Sequence, residues 1–272
     1  MIGDELRKQT ILALFADPDL LEQIALKGGN ALRLVYGQQR TSIDIDFSLA
    51  PGVDGEFGQK VELAIQKHFE ALGLKVVVFK LKPKPPKGER KFGYQLKFSV
   101  LEEALFLKHR EDQGKIQALA SDHARCVEVE FSMDEFLGSV QIVDWDIPIC
   151  VYTRKAIVIE KLRALCQQLP EYLPRQNKTA RARDFYDICE ALDSELDLSG
   201  PDSREIALAI FRVKKVPLSS LLELGRAEER EHHRVDWRSV QDTVPSGNLK
   251  AFDDYFERVA DLARNLHADW NM

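Results

Sequence analysis

SIDIDFSLA, residues 42–50, sets Ile43, Ile45, Phe47 and Leu49 in alternation with Ser42, Asp44, Asp46 and Ser48. A period of two is that of a β-strand with one apolar and one polar face. The polar face then carries two aspartates at i and i+2, about 6 to 7 Å apart at their Cα atoms given the strand rise. Aspartate is a poor strand former, and two carboxylates this close repel each other unless a cation lies between them. A hard divalent ion with oxygen ligands answers that repulsion, so Mg²⁺ is the expected ion, with Mn²⁺ as the substitute. A bare D-x-D is most often no more than the solvent face of an amphipathic strand; its neighbours change that weighting.

Upstream, Gly28-Gly29-Asn30 leads into the short helical stretch ALRLVYG, which Gly37 can end. Glycines let backbone N–H groups approach a phosphate, and a following helix N-terminus favours negative charge. Asn30 can N-cap that helix or reach a phosphate oxygen. Gly28, Gly29, Asn30 and Ser42 are therefore the nucleotide-binding candidates beside Asp44 and Asp46. A third carboxylate completes a two-metal site. CVEVEFSM, residues 126–133, offers Glu128 and Glu130 on one strand face; Glu130 is preferred, and Glu128 competes with it for this role.

Outward from this centre, ELRKQTILALF and PDLLEQIAL read as helices, the second with Asp17 as N-cap and Pro18 at its first turn. A helix is expected over 56–72, strands over 74–81 and 92–100, and between them a Pro- and Lys-rich loop, 82–91, unfit for a central strand. Residues 102–120 are weakly helical, and strands follow at 126–133 and 147–152. From Thr153 nearly everything reads as helix: 154–168, 181–194, 203–215, 217–231 and 248–267. The expected fold class is α+β, a mixed-sheet core over 1–152 followed by an all-helical part over 153–272 that completes the site.

In the helical half, Ile157, Lys161 and Leu165 lie at i, i+4 and i+8, which puts Lys161 on an apolar stripe where it must snorkel or meet an anion. Asp184, in RARDFYDICEAL, is placed to hold that ammonium. Arg181 and Arg183 sit at a helix start, against the dipole, which hints at a polyanionic partner. The histidines show no metal spacing, and the His232-His233 pair, among Glu228, Glu229 and Glu231, is expected on a solvated helix end.

The chain has 272 residues and a formal charge of −6, with two basic stretches. KLKPKPPKGERK, 80–91, carries five Lys, one Arg and one Glu, and RQNKTARAR, 175–183, four bases and no acid. Either can bind nucleic-acid phosphates locally. No apolar run of about 18 residues suggests a membrane span, the N-terminus does not read as a secretory signal, and Cys126, Cys150, Cys166 and Cys189 form no C-x-x-C. A cytoplasmic protein is expected.

LKGGNALRLVYGQQRTSIDIDFSL (26–49), EVEFS (128–132), TRKAIVIEKLRAL (153–165) and RARDFYDICEAL (181–192) together resemble the AbiEii/AbiGii toxin family of nucleotidyltransferases, in order and spacing. The resemblance implies a DNA-polymerase-β-like nucleotidyltransferase core and membership of a bacterial toxin–antitoxin or phage-defence system. It also implies transfer of nucleotides from an NTP to an RNA acceptor such as the 3′ end of tRNA, and a cognate antitoxin. By the same resemblance Asp44 and Asp46 are metal ligands. Gly29 and Asn30 form the phosphate turn, Lys161 meets the triphosphate and Asp184 is the essential acid of the last motif. One departure is Asn30, where the family commonly has Ser or Thr; an amide can still donate to phosphate. The rivals are a D-x-D glycosyltransferase, against which the helical second half argues, a silent binding module on the same fold, and nucleotidylation of a protein hydroxyl.

Overall fold

The computed structural model describes residues 3–53, 55–84, 92–192, 196–245, 247 and 249–271. The end of the expected basic loop, 85–91, lies outside the described residues. The chain divides into two compact units. The first comprises 1–31, 43–137 and 141–151, and the second 32–42, 138–140 and 152–272. The division is therefore not one cut near 152: the stretch 32–42, between the glycine turn and the aspartates, groups with the helical half.

The first unit holds helices α1 (Asp4–Phe15) and α2 (Pro18–Gln23), strand β1 (Ile24–Lys27), the single-turn helix α3 (Gly28–Asn30) and strand β2 (Ile45–Leu49). Helix α4 (Phe57–Ala71) and the hairpin β3 (Leu74–Lys84) and β4 (Gly93–Glu102) follow, then α5 (Glu103–His109), α6 (Gln113–Ala120) and β5 (Cys126–Ser132). Among the described residues, these strands join β6 (Val140–Trp145) and β7 (Ile147–Tyr152) in one sheet of order β3-β4-β5-β2-β1-β7-β6. The sheet is mixed: β2 runs antiparallel to β1 and parallel to β5, β1 is parallel to β7, and β3-β4-β5 are antiparallel.

One face of this sheet is apolar and sealed. Phe47 of β2 stacks on Phe131 of β5 at 5.5 Å, Phe131 meets the edge of Phe57 of α4 at 5.1 Å, and Phe15 of α1 closes on Phe47 at 5.8 Å. Because strand side chains alternate, burying these rings forces the residues between them onto the other face.

A π-helical turn covers Ala31–Val35 where the second unit begins, and β7 is followed by the helices α7 (Arg154–Cys166), α8 (Ala182–Ala191), α9 (Pro201–Val213), α10 (Ala227–Arg234) and α11 (Trp237–Gln241). The last helix is α12 (Phe252–Asn271). Phe185 of α8 centres its core, stacked on Phe256 at 5.4 Å and edge-on to Phe252 at 5.5 Å. Thr153 caps α7 by accepting from the Ala156 N–H, and Asp17 caps α2 as its sequence announced.

Several element boundaries differ from expectation. IALK is a strand, β1, rather than the tail of a helix, because four consecutive apolar or buried positions pair with β2 and carry no helical face. Residues 218–225 form a 3₁₀-helix separate from α10. Strand β6, half polar, has too weak an alternation to be legible. Among the described residues no helix is long and apolar enough to cross a membrane.

Candidate active site

The ladder sets the carboxylate face. Asp46 lies opposite Lys27 of β1 on one side and opposite Glu130 of β5 on the other. Glu128 is two residues further along β5, opposite Lys97. Asp46 thus has Glu130, not Glu128, as its lateral neighbour. Both glutamates already have lysine partners: Lys84 Nζ lies 2.7 Å from Glu130 Oε2, and Lys97 Nζ 2.5 Å from Glu128 Oε1.

The glycine turn closes directly on Asp46. Gly28 has φ of +69°, and a Cβ added there would overlap the Asp46 carboxylate. Only glycine satisfies both the left-handed backbone and that close approach. Asn30 is fully buried, and its Nδ2 donates to the Asp44 carbonyl oxygen at 2.6 Å. It is the last residue of α3 rather than an N-cap, and its amide secures the backbone leading into β2.

The expected strand 42–50 is shorter. It begins at Ile45, so Ser42 and Asp44 precede it, and Ile43 is 60% exposed rather than on the apolar face. Asp44 is held by the Asn30 tether instead of the ladder and is exposed, while Asp46 is half-buried. Ser42 is half-buried and groups with the second unit.

Lys27 is a residue that pattern reading passed over. Its side chain is 9% exposed, its ammonium lies 3.5 Å from Glu135, and it is the register partner of Asp46. A lysine closing the apolar run IAL immediately before two glycines was the available signal.

Among the described residues, no three His, Cys, Asp or Glu groups converge as a ready cage for a metal ion. Mg²⁺ needs none: it commonly binds through one or two carboxylates and completes its shell with phosphates and water. Asp44 and Asp46 fit that donor set. Glu130, the lateral neighbour of Asp46, is ion-paired with Lys84.

The second unit carries a different charged cluster. Lys161 of α7 is buried, with Nζ 2.9 Å from Asp184 Oδ1 and 2.7 Å from Asp187 Oδ2. Arg40 grips Asp187 with two parallel hydrogen bonds, Nε to Oδ1 at 2.6 Å and Nη2 to Oδ2 at 2.7 Å. Arg181 donates to the other Asp184 oxygen. The anion that Lys161 needs is thus supplied by the protein twice over. Burial by itself would raise the Asp184 pKa, but the Arg181 and Lys161 charges overcome it and hold the carboxyl well below the usual range. Asp187 is lowered in the same way, against burial, by Lys161 and Arg40.

Asp187 was legible as the i+3 neighbour of Asp184 on one helix face; Arg40, in QQRTS, had no such signal. Arg181 and Arg183 at the start of α8 have protein partners, Asp184 and the Ser239 hydroxyl. One expectation is corrected here. His233 is fully buried rather than solvated. Its Nδ1 accepts from the Arg181 N–H at 3.0 Å and its ring lies 5.1 Å from Phe185. The charged residues around it in sequence hid a helix position that faces inward. Burial, with the neighbouring His232, pushes its pKa down to about 3.

No curated protein matches the sequence. Solved structures share the fold. JHP933 from Helicobacter pylori superposes with a TM-score of 0.54 at 15% identity, over 99% of this chain and 92% of the other. A candidate nucleotidyltransferase from the same organism superposes with a TM-score of 0.55 at 14% identity, over 99% and 95%. At these identities the likeness is one of fold. The family profile described as nucleotidyl transferase AbiEii toxin, type IV TA system, matches residues 10–258. That span takes in the glycine turn, the aspartate strand, the β5 glutamates and the buried Lys161–Asp184 pair, and the chain belongs to this family of toxin nucleotidyltransferases.

Proposed function

We propose that the protein is a metal-dependent nucleotidyltransferase that moves the nucleotidyl group of an NTP to the 3′ hydroxyl of an RNA acceptor, such as the 3′ end of tRNA. We propose also that it acts as a toxin restrained by a cognate antitoxin. The observation that supports this best is Asp46, set in register between Lys27 and Glu130 with the Gly28 backbone against its carboxylate.

Asp44 and Asp46 would hold Mg²⁺, or Mn²⁺, which when bound supplies neutralisation of phosphate charge. The backbone N–H groups of Gly28 and Gly29 would be the donors offered to a phosphate. Ser42 stays a nucleotide-binding candidate by its place two residues before Asp44. Lys27, buried beside Asp46, adds a fixed positive charge to the face, and Asn30 positions Asp44 through its carbonyl. The acceptor oxygen forms a bond to the α-phosphorus, the bond from that phosphorus to the bridging oxygen breaks, and pyrophosphate leaves with the electron pair. Glu130, once parted from Lys84, is the group placed to take the hydroxyl proton. In the second unit Lys161 and Asp184 are assigned to nucleotide handling as positioning residues. A direct triphosphate contact would require the Lys161 ammonium to give up one of its two carboxylates.

NTPs labelled at the α-phosphate, incubated with total tRNA, test the reading. Label should enter RNA, and Asp46→Ala should reduce that by about a hundredfold or more while leaving the far-UV circular dichroism of a folded chain. Undiminished transfer by Asp46→Ala would remove the aspartates from the chemistry. Label on protein would change the acceptor, and label on neither would make the fold a binding module.

A further inference from the structure

The polar face of the sheet does not end at Glu130. In one row across the strands, Asp46 stands opposite Glu130, Glu130 opposite Gln95, and Gln95 opposite Lys82. The neighbouring rows place Lys80 opposite Lys97 and Lys97 opposite Glu128, and Lys84 opposite Gly93. Residues in register share a face, so Lys80, Lys82, Lys84 and Lys97 stand on the same side of the sheet as Asp46 and Glu130. All four lysines are exposed. The opposite side of these strands is the sealed one, with Leu96, Phe98, Val129 and Phe131 buried. One open face therefore changes sign along its length, from carboxylates at β2 and β5 to lysines at β4 and β3. Three strand spacings separate Lys82 from Asp46, about 14 Å at the Cα atoms.

Lysines on an edge strand commonly guard it against pairing with another chain. That role does not account for Lys97, which is on the second strand, nor for the way the lysines reach the acids. Lys84 and Lys97 bridge to Glu130 and Glu128 across the sign change with side chains that are half exposed. Pairs of that exposure are worth about 0–1 kcal/mol and exchange readily for another anion. Lys80 and Lys82 have no acidic partner among the described residues. A row of ammonium groups at strand spacing, with no aromatic ring among them, suits a repeating phosphate chain rather than a single base.

We infer that the β3–β4 lysines, Lys80, Lys82, Lys84 and Lys97, form the track on which a single RNA strand lays its phosphodiester backbone, its 3′ end directed toward Asp46. This rests on the transferase reading above and names the surface that holds the acceptor. It also gives Lys84 a second part: a phosphate that takes the Lys84 ammonium releases Glu130 beside Asp46, so the carboxylate is freed when acceptor is in place.

The full chain and its Lys80→Glu/Lys82→Glu variant, titrated against a 5′-fluorescent single-stranded RNA and followed by anisotropy over a range of salt, decide the matter. The variant should bind about tenfold or more weakly, and its plot of log affinity against log salt should be shallower by about 1.4, roughly 0.7 for each lost lysine contact on a single strand. The KM for RNA should rise with kcat at saturating RNA and the KM for NTP unchanged. Equal affinity and equal salt dependence in the two proteins would reduce the lysines to edge protection and leave the transferase reading standing. A wild-type chain that binds no RNA and labels protein instead would overturn both.

Discussion

Lys84 meets Glu130 at 2.7 Å and Lys161 meets Asp187 at 2.7 Å, yet the side chains of the first pair are 50% and 36% exposed and those of the second 10% and 2%. Equal distance does not mean equal consequence. The Coulomb energy of a pair scales inversely with the effective dielectric, which falls steeply from solvent to interior. The exposed pair trades its partner for water or a phosphate at little cost. The buried one has lost its water and is fixed by two carboxylates and, through Asp187, by the fork of Arg40. On the polar face of the sheet the β5 glutamates and the lysines paired with them lie in the open. The cluster around Lys161 is a chain, Arg181–Asp184–Lys161–Asp187–Arg40, in which every charge has a protein partner.

The contrast is most exposed to failure at Asp187. Asp187→Ala strands the Arg40 guanidinium and weakens the hold on Lys161, and the stability lost should be about 3–5 kcal/mol, as for one partner removed from a buried ion pair. Chemical denaturation followed by circular dichroism measures it; a loss below about 1 kcal/mol would mean that the cluster is wetter than its geometry requires.

A smaller effect, spread over pH, comes from His233. Its folded pKa of about 3 lies below the ordinary value of 6.5, so as pH falls the unfolded chain takes up a proton that the folded chain refuses. Its contribution to stability is whole above 6.5 and is lost progressively toward 3. The loss has a limiting slope of about 1.4 kcal/mol per pH unit. In His233→Gln that part of the slope should vanish, and matching pH–stability curves for the two proteins would show that His233 is protonated in the folded state.

The smallest expected change is at the exposed pair. Lys84→Ala should alter stability by about 1 kcal/mol or less, read from the same denaturation curves. A loss of several kcal/mol would place the pair among the structural contacts and take away the exchange on which the acceptor track depends.

The centre of the carboxylate face was legible because its signal is local. Ile45, Phe47 and Leu49 alternate with Asp46 and Ser48, and the structure buries the first three. Alternation cannot say where a strand begins, so Ser42, Ile43 and Asp44 were drawn into β2 although they precede it. The buried Lys161–Asp184 pair was legible from helical spacing and a lone lysine on an apolar stripe. Arg40 was not, because its partner Asp187 lies 147 residues away and nothing in QQRTS marks it. His233 was misread because its neighbours in sequence are charged while its neighbours in space are Phe185 and the Arg181 backbone.

By itself the sequence determined the α+β class, the strand that bears Asp46, the glycine turn before it and the lysine that needs an anion. Each is carried by residues within a few positions of one another, where the backbone period dictates which side chains share a face. Only the tertiary structure decided that Glu130 rather than Glu128 is the lateral neighbour of Asp46, that Asn30 ties down Asp44, that Gly28 touches the Asp46 carboxylate, and that lysines of β3 and β4 continue the same face. Those are matters of strand order and register, fixed by which apolar side chains pack together across the sheet, and no local pattern contains them.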